Sequence, residues 1–167
     1  LVLVMKLVKG LGDFFGLDIG TNAVRVVQLS RTGAGWSLVH YGYTPVDSKI
    51  TSGDSPEARR RLGEAIMTAV GQAGIRTSNV AIGLPSNKTF STVIDVPKVS
   101  EQELKAMMKY QVDQYIPMSS DEAEVDWVLL GESLHAQNQY EVLLTSTSKT
   151  YAEERLELVE GLGFNVI

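Results

Sequence analysis

Two apolar runs around a short polar turn constrain the fold of this chain more than any other feature. Residues 14–31 read FFGLDIGTNAVRVVQLSR, with the turn at Gly20–Asn22. Apolar runs of this length, bounded by glycine and polar residues, are typical of β-strands joined in a hairpin. The second run is nearly all apolar, a pattern typical of a strand covered on both faces. The segment therefore predicts an opening hairpin whose second strand is buried in a sheet.

One carboxylate, that of Asp18, stands inside the first run and just before the turn. A buried strand normally excludes such a group, because desolvating it without a partner costs several kcal/mol. As an ordinary turn residue, Asp18 would satisfy nearby backbone groups. In the functional interpretation, Gly20 lets a phosphate approach successive N–H groups of the turn, Asp18 holds Mg²⁺ through water and Arg25 reaches the phosphates. The residues alone leave both interpretations open.

The residues up to position 85 predict the order β-β-β-α-β. RTGAG is a hairpin signal, WSLVHYGYTP predicts a third strand, and NVAIGLP predicts a short central strand after a helix. Ser55 and Pro56 predict the first residues of that helix, and Gly74 predicts its end. Its inward face is expected to consist of Leu62, Ile66, Val70 and Ala73.

The residues after Pro85 predict a strand-helix-strand-strand unit. KTFSTVIDVP alternates as a strand does, and EVDWVLLGE and QYEVLLTST predict two further strands. Ser100 and Glu103 form a capping-box signature at the start of the helix, and Pro117 predicts its end. The apolar stripe of this helix consists of Leu104, Met108, Val112 and Ile116.

A last helix and a short strand are predicted at the end of the chain. The helix is expected to begin near Thr150, with Glu153 as its capping-box partner and with Leu156 and Val159 turned inward. FNVI then begins another strand. We expect a domain that stops at the start of a strand to be incomplete, so the chain is predicted to be truncated.

The bulk composition excludes several classes of protein. The chain has 167 residues, of which 44% are hydrophobic, and this is typical of a globular protein. The net charge of −5 argues against nucleic-acid binding as the main function. The absence of cysteine excludes disulfide bonds, and the presence of only two histidines argues against a zinc site.

The apolar start of the chain does not predict a membrane span. LVLVMKLV is interrupted by Lys6 and is too short to cross a bilayer, and no cleavage signal follows it. We expect residues 1–13 to be flexible or tag-like. A short amphipathic segment that lies on a membrane surface is the alternative.

Three passages carry the most specific pattern in the chain: GLDIGTNAVRVVQLSR, VAIGLPSNKTFSTVIDVPKVSEQELKAMMKYQVDQYIPMSSDEAEVDWVLLGE and YEVLLTSTSKTYAEERLELVEGLGFNVI. They resemble the family of type IV pilus assembly proteins PilM, which is actin-like and related to the bacterial division protein FtsA. The resemblance runs from about residue 14 to the end of the chain, and QYIP and IDVP are far more specific than the turn.

The resemblance implies a fold and a domain organisation. The fold is α/β, a ribonuclease-H-like or actin-like subdomain with an inserted α+β subdomain of the strand-helix-strand-strand (SHS2-like) type. Residues 1–85 would form the first part of actin-like subdomain 1A, residues 86–163 the inserted subdomain 1C, and residues 164–167 a return strand of 1A that is cut short.

ATP with Mg²⁺ is the cofactor that the resemblance implies. Asp18 matches the first phosphate-loop acid of the family and would hold Mg²⁺ through water, and Gly20, Thr21 and Asn22 match the turn whose amides meet phosphate. Arg25 falls where relatives usually place lysine. The second phosphate loop and the adenine pocket of the superfamily follow the point where this chain ends. The piece is therefore expected to hold half of the ATP cleft, to contain no catalytic residue and to hydrolyse ATP no faster than buffer.

The resemblance also implies partners and a location. The implied partner is the N-terminal cytoplasmic tail of PilN, bound as an extended segment, with other pilus platform proteins and further copies of the chain as additional partners. The implied location is the cytoplasm of a bacterium, peripheral to the inner membrane.

Two alternatives within the same superfamily stay open on the residues. Sugar and acetate kinases also begin with a D-x-G-T turn, but they lack the strand-helix-strand-strand insert at this place and need a substrate base that the following segment does not offer. An FtsA-like division protein would share the insert, whereas QYIP and IDVP favour the pilus family.

Overall fold

The computed structural model describes residues 12–33, 35–53 and 55–167. The described strands are β1 (Phe15–Ile19), β2 (Ala23–Thr32), β3 (Gly35–Pro45), β4 (Asn79–Gly83), β5 (Thr89–Pro97), β6 (Ala123–Glu132), β7 (Gln139–Ser148) and β8 (Asn165–Val166). The described helices are α1 (Ser48–Thr51), α2 (Pro56–Ala73), α3 (Glu101–Gln111) and α4 (Lys149–Gly161), and a 3-10 turn spans Val112–Gln114. The first structural unit comprises the described residues up to Pro85 together with Glu154–Ile167, and the second comprises Ser86–Glu153.

The first unit is built on a mixed sheet of order β3-β2-β1-β4-β8. β1, β2 and β3 form the antiparallel meander that the sequence predicts. β4 pairs parallel with β1, and β8 pairs parallel with β4 on its other side. The predicted β-β-β-α-β order is therefore confirmed, and FNVI does begin a strand.

Helix α2 covers one face of this sheet. The Ser55 side chain accepts a hydrogen bond from the N–H of Ala58 at 3.1 Å, and Pro56 occupies the first turn. Gly74 ends the helix in the left-handed region, with φ of 71°, where glycine carries no Cβ penalty. Both predicted helix ends are confirmed. The buried core beneath α2 consists of Phe15, Leu17, Ile19, Val24, Val26, Leu62, Ile66, Ala69, Val70, Ile75, Val80 and Val159.

The opposite face of the same sheet is not covered by any described element of the first unit. Val27 and Leu29 of β2 lie on it and are 40% and 46% exposed. The expectation that β2 is covered on both faces is therefore wrong for the described residues. The reason is that α2 and α4 contribute their buried residues to the single core that contains Val24 and Val26, and successive strand residues alternate between faces.

α4 begins at Lys149, close to the predicted Thr150, but its cap and its buried face differ from those predicted. The side chain of Ser148, not that of Thr150, accepts a hydrogen bond from a main-chain N–H of the first turn, at 3.4 Å. Val159 is fully buried as predicted, but Leu156 is 39% exposed and Arg155 is buried instead. Arg155 and Val159 are four residues apart and share a helix face. The inward face of α4 therefore carries Arg155 in place of Leu156, together with Val159 as predicted.

The second unit has a sheet of order β5-β7-β6, with α3 between β5 and β6 in the chain. The predicted strand-helix-strand-strand order is confirmed. Ser100 and Glu103 form the predicted capping box, in which each side chain accepts from the other residue's main-chain N–H. The α-helix ends at Gln111 rather than at Pro117, because the chain tightens into the 3-10 turn. The buried core consists of Val96, Leu104, Met108, Val112, Ile116, Ala123, Val142 and Leu144.

The limits of the two units follow the packing of α4. The units divide after Pro85 and after Glu153. The second division falls within α4, because α4 joins the core of the first unit through Val159. No helix among the described residues combines the length and the apolar composition of a membrane span.

The expectation for residues 1–13 falls mostly outside the described residues, which begin at position 12. The main-chain carbonyl of Asp13 accepts hydrogen bonds from Thr77 Oγ1 at 2.7 Å and from Asn79 Nδ2 at 3.3 Å. The entry to β1 is thus attached to the beginning of β4.

Candidate functional site

The β1–β2 turn is a tight loop between two directly paired strands. Ile19 and Val24 are the last directly paired residues of the two strands, and the N–H of Gly20 donates to the carbonyl of Ala23 at 2.9 Å. Thr21 and Asn22 are exposed at the tip. Their N–H groups donate no hydrogen bond within the described part of the chain, so an anion at the tip would meet two available donors.

The carbonyl groups of the same turn are held by the neighbouring segment. The carbonyl of Asn22 accepts from the N–H of Val46 at 2.9 Å. The carbonyl of Thr21 accepts from Thr51 Oγ1, at the end of α1, at 2.7 Å. The peptide unit that joins Thr21 to Asn22 is therefore bonded through its carbonyl, and its N–H, that of Asn22, points away from Thr51.

Asp18 lies directly opposite Arg25 in the β1–β2 ladder, and the two side chains form an ion pair. Arg25 Nη1 donates to Asp18 Oδ2 at 3.1 Å, and the side chains are 55% and 54% exposed. The premise that the carboxylate of Asp18 is buried is therefore wrong. Leu17 and Ile19 point into the core, and the alternation of a strand turns Asp18 to the open face of the sheet.

The guanidinium group of Arg25 extends along the turn. Its Cζ lies 5.7 Å from the centre of the Tyr43 ring, within the range of a cation–π contact. A Cβ atom built on Gly20 would lie only 2.8 Å from Arg25 Nη1. Glycine at position 20 thus leaves the space in which the arginine head group sits. A guanidinium carries five N–H donors, so the bond to Asp18 leaves donors that a phosphate could use.

A groove lies beside the turn on the open face of the sheet, with a volume of about 550 Å³. It is lined by the small residues Gly16 and Ala81 and by the larger residues Val27, Tyr41 and Tyr43. The two tyrosines are 73% and 56% exposed. Sequence reasoning missed this groove, although tyrosines two residues apart in HYGYTP must share one face of a strand.

The structure thus brings the five predicted site residues to one end of the β1–β2 hairpin. Asp18, Gly20 and Arg25 are in mutual contact range, and Thr21 and Asn22 form the tip. Among the described residues, no three acidic or histidine side chains meet as a ready-made metal cluster. Any divalent cation at this end would rest on Asp18 and on water, the arrangement that Mg²⁺ prefers.

A family model described as type IV pilus assembly protein PilM matches residues 16–167. The chain belongs to this PilM family. The resemblance found in the sequence is therefore confirmed, and the family match favours PilM over the FtsA-like and kinase-like alternatives.

Solved structures show a related fold. A chain of the "PilM-PilN type IV pilus biogenesis complex" matches with a TM-score of 0.76 and 21% identity, over 92% of this chain and 45% of that one. The cytoplasmic domain of EpsL, an inner membrane component of the type II secretion system of Vibrio cholerae, matches with a TM-score of 0.54 and 14% identity, over 93% of this chain and 56% of that one. At these identities the likeness shows the fold, and it bears out the predicted mixed α/β class. The chain spans about half the length of these structural relatives.

Proposed function

We propose that this chain works in type IV pilus assembly as a nucleotide-binding protein that binds the N-terminal cytoplasmic tail of PilN. The observation that supports this most strongly is membership of the PilM family over residues 16–167. A second support is that the structure with a TM-score of 0.76 is a complex of PilM with PilN.

The proposed mode of binding is addition of an extended peptide to a sheet edge. An extended tail pairs its main-chain groups with an outer strand, and neighbouring pockets accept its side chains. β5 and β6 are the outer strands of the sheet of the second unit, and each pairs only with β7 among the described strands. We propose that the protein acts in the cytoplasm at the inner membrane, with PilN and further pilus platform proteins, and that copies of it can associate.

The proposed cofactor is ATP with Mg²⁺, bound through its phosphates at the β1–β2 turn. The described residues fit this group, because two exposed amides, a half-exposed carboxylate and an arginine meet at one place. Asp18 would hold the metal through water, the amides of Thr21 and Asn22 would bind phosphate oxygens, and Gly20 would leave room for the Arg25 head group beside them. Arg25 would add a fixed positive charge. When bound, the metal would neutralise part of the phosphate charge, and the 167-residue chain by itself is proposed not to hydrolyse ATP.

The PilN proposal is tested with a fluorescent synthetic peptide that carries the N-terminal cytoplasmic sequence of PilN from the same bacterium. Fluorescence anisotropy on adding the chain is expected to rise and saturate. A scrambled peptide of identical composition and charge is the control and is expected to give no saturable rise. Equal binding of both peptides, or binding of neither, would contradict the proposal.

A further inference from the structure

We propose that Thr51 and Arg155 are positioning residues for the β1–β2 turn, so that elements distant in the chain aim the amide that meets phosphate. The inference rests on the proposed function, because it assigns the orientation of the same anion-binding turn. Neither residue stands out as a site residue in the sequence, and neither would touch the phosphate itself.

Thr51 Oγ1 donates a hydrogen bond to the carbonyl of Thr21 at 2.7 Å. The hydroxyl also lies 3.1 Å from the carbonyl of Ser48, but it has a single proton and the bond to Thr21 is the shorter one. The carbonyl of Thr21 and the N–H of Asn22 belong to one peptide unit. Since a trans peptide is planar, its C=O and N–H point in opposite directions. Fixing the carbonyl toward Thr51 therefore aims the Asn22 amide away from α1.

Arg155 holds the main chain of Thr51 in place. Arg155 Nη2 donates to the main-chain carbonyl of Thr51 at 3.2 Å, and the residue Arg155 is only 7% exposed. Arginine is almost never buried without specific polar contacts, and a bond from a charged donor is stronger than a neutral one. α1 has only four residues, too few to be stable without its neighbours. Arg155 therefore holds the C-terminal residue of α1.

Helix α4, which carries Arg155, is itself attached to the first unit. The adjacent residue Glu154 accepts a hydrogen bond from Arg59 of α2 at 2.8 Å, and Val159 lies in the core of the first unit. Thr51 thus holds the turn, and Arg155 holds Thr51. Arg155 in turn belongs to a helix that is attached at two further points. A loose turn would have to be ordered when an anion binds, and pre-ordering it removes that cost.

The experiment compares Thr51→Val, which keeps the shape and removes the hydroxyl, with Thr51→Ser, which keeps the hydroxyl. Thr68→Val is the matched control, because Thr68 Oγ1 donates to the carbonyl of Glu64 at the same distance of 2.7 Å on the exposed face of α2. Two quantities are measured on the 167-residue chain: the backbone ¹⁵N order parameters of Thr21 and Asn22, and the Kd for Mg·ATP from NMR titration. Arg155→Met is a second variant that disturbs the same path.

In Thr51→Val and Arg155→Met, the order parameters of the turn are expected to fall from about 0.85 toward 0.6. The Kd for Mg·ATP is expected to rise about fivefold, the equivalent of one ordinary hydrogen bond. Thr51→Ser and Thr68→Val are expected to leave both quantities unchanged.

Unchanged order parameters in Thr51→Val would overturn the inference, as would an equal loss of order in Thr51→Ser. If the turn loosens in Thr51→Val while the unmodified chain shows no binding of Mg·ATP, the nucleotide proposal fails and the inferred role in phosphate binding fails with it. A loosened turn with unchanged nucleotide affinity would overturn the inference alone.

Discussion

Arg25 Nη1 lies 3.1 Å from Asp18 Oδ2, and the two residues face each other directly in the β1–β2 ladder. The pair stands on the open face of the sheet beside two exposed turn amides. Opposite charges on neighbouring strands keep each other in place without burial, and both can change partners when a metal-bound phosphate arrives. This pair, rather than a buried acid, is the centre of the proposed site.

Replacing Asp18 with asparagine is expected to change binding more than stability. Because both side chains are more than half exposed, the ion pair contributes at most about 1 kcal/mol to the free energy of unfolding. Urea denaturation should therefore show a loss below that value, while affinity for Mg·ATP falls. A loss of several kcal/mol in Asp18→Asn would mean that the residue is structural.

Gly20→Ala tests whether glycine is needed to seat the arginine. The added Cβ would lie 2.8 Å from Arg25 Nη1 and 3.2 Å from the carbonyl oxygen of Ala23. The flexible guanidinium can move, so we expect the chain to fold and the contact between Arg25 and Asp18 to be lost, as seen in the NMR signal of Arg25 Nε–H.

Gly71→Ala is the matched control for this change. A Cβ atom there meets nothing within 4 Å, and position 71 lies inside α2. Alanine should therefore stabilise the chain by about 0.5–1 kcal/mol and leave the Arg25 signal unmoved. The claim that Arg25 occupies the space beside Gly20 would be contradicted if the Arg25 signal moved in Gly71→Ala. It would also be contradicted if that signal did not move in Gly20→Ala.

The capping box of α3 predicts a pH dependence. The hydroxyl of Ser100, and next its main-chain N–H, lower the pKa of Glu103 below the ordinary value of 4.5. A carboxylate with a lowered folded-state pKa stabilises the fold above 4.5, and that contribution is lost as the pH falls through the lower, folded-state pKa.

Glu103→Gln should therefore reduce the loss of stability on acidification, and Ser100→Ala should lower stability at neutral pH by about 1 kcal/mol. Urea midpoints measured from neutral pH to below 4.5 provide the check. A steeper acid dependence in Glu103→Gln than in the unmodified chain would show that the sign is wrong.

Shortening a buried side chain and an exposed side chain of α4 is expected to lower stability by unequal amounts. Val159 is fully buried and Leu156 is 39% exposed. Val159→Ala should therefore cost about 2 kcal/mol, and Leu156→Ala less than about 1 kcal/mol. Thermal denaturation of the two variants measures both losses of stability. A larger loss in Leu156→Ala than in Val159→Ala would mean that α4 has the orientation expected from its apolar residues.

Local signals in the sequence predicted most of the elements correctly. Ser55, Gly74 and the pair Ser100 and Glu103 act on groups within one helical turn, so neighbouring residues are sufficient to predict them. The strand order of the meander follows equally from short hairpins.

The predictions that failed concern features that depend on contacts between residues far apart in the chain. Arg155 is buried and donates to the carbonyl of Thr51, and no pattern within α4 carries that information. The exposure of Asp18 depends on which face of β1 meets α2, which the lone acid in an apolar run did not reveal. For the same reason nothing in the sequence indicated Thr51, whose hydroxyl bonds to the turn from 30 positions away in the chain.

The central claim is that the β1–β2 turn receives the phosphates of Mg·ATP, and titration of the ¹⁵N-labelled chain with Mg·ATP tests it most directly. We predict saturable shifts of the Gly20, Thr21 and Asn22 amides, together with the Arg25 side chain, and a clearly higher Kd in Asp18→Asn. Saturation without movement of these signals, or no binding in the unmodified chain, would contradict the account.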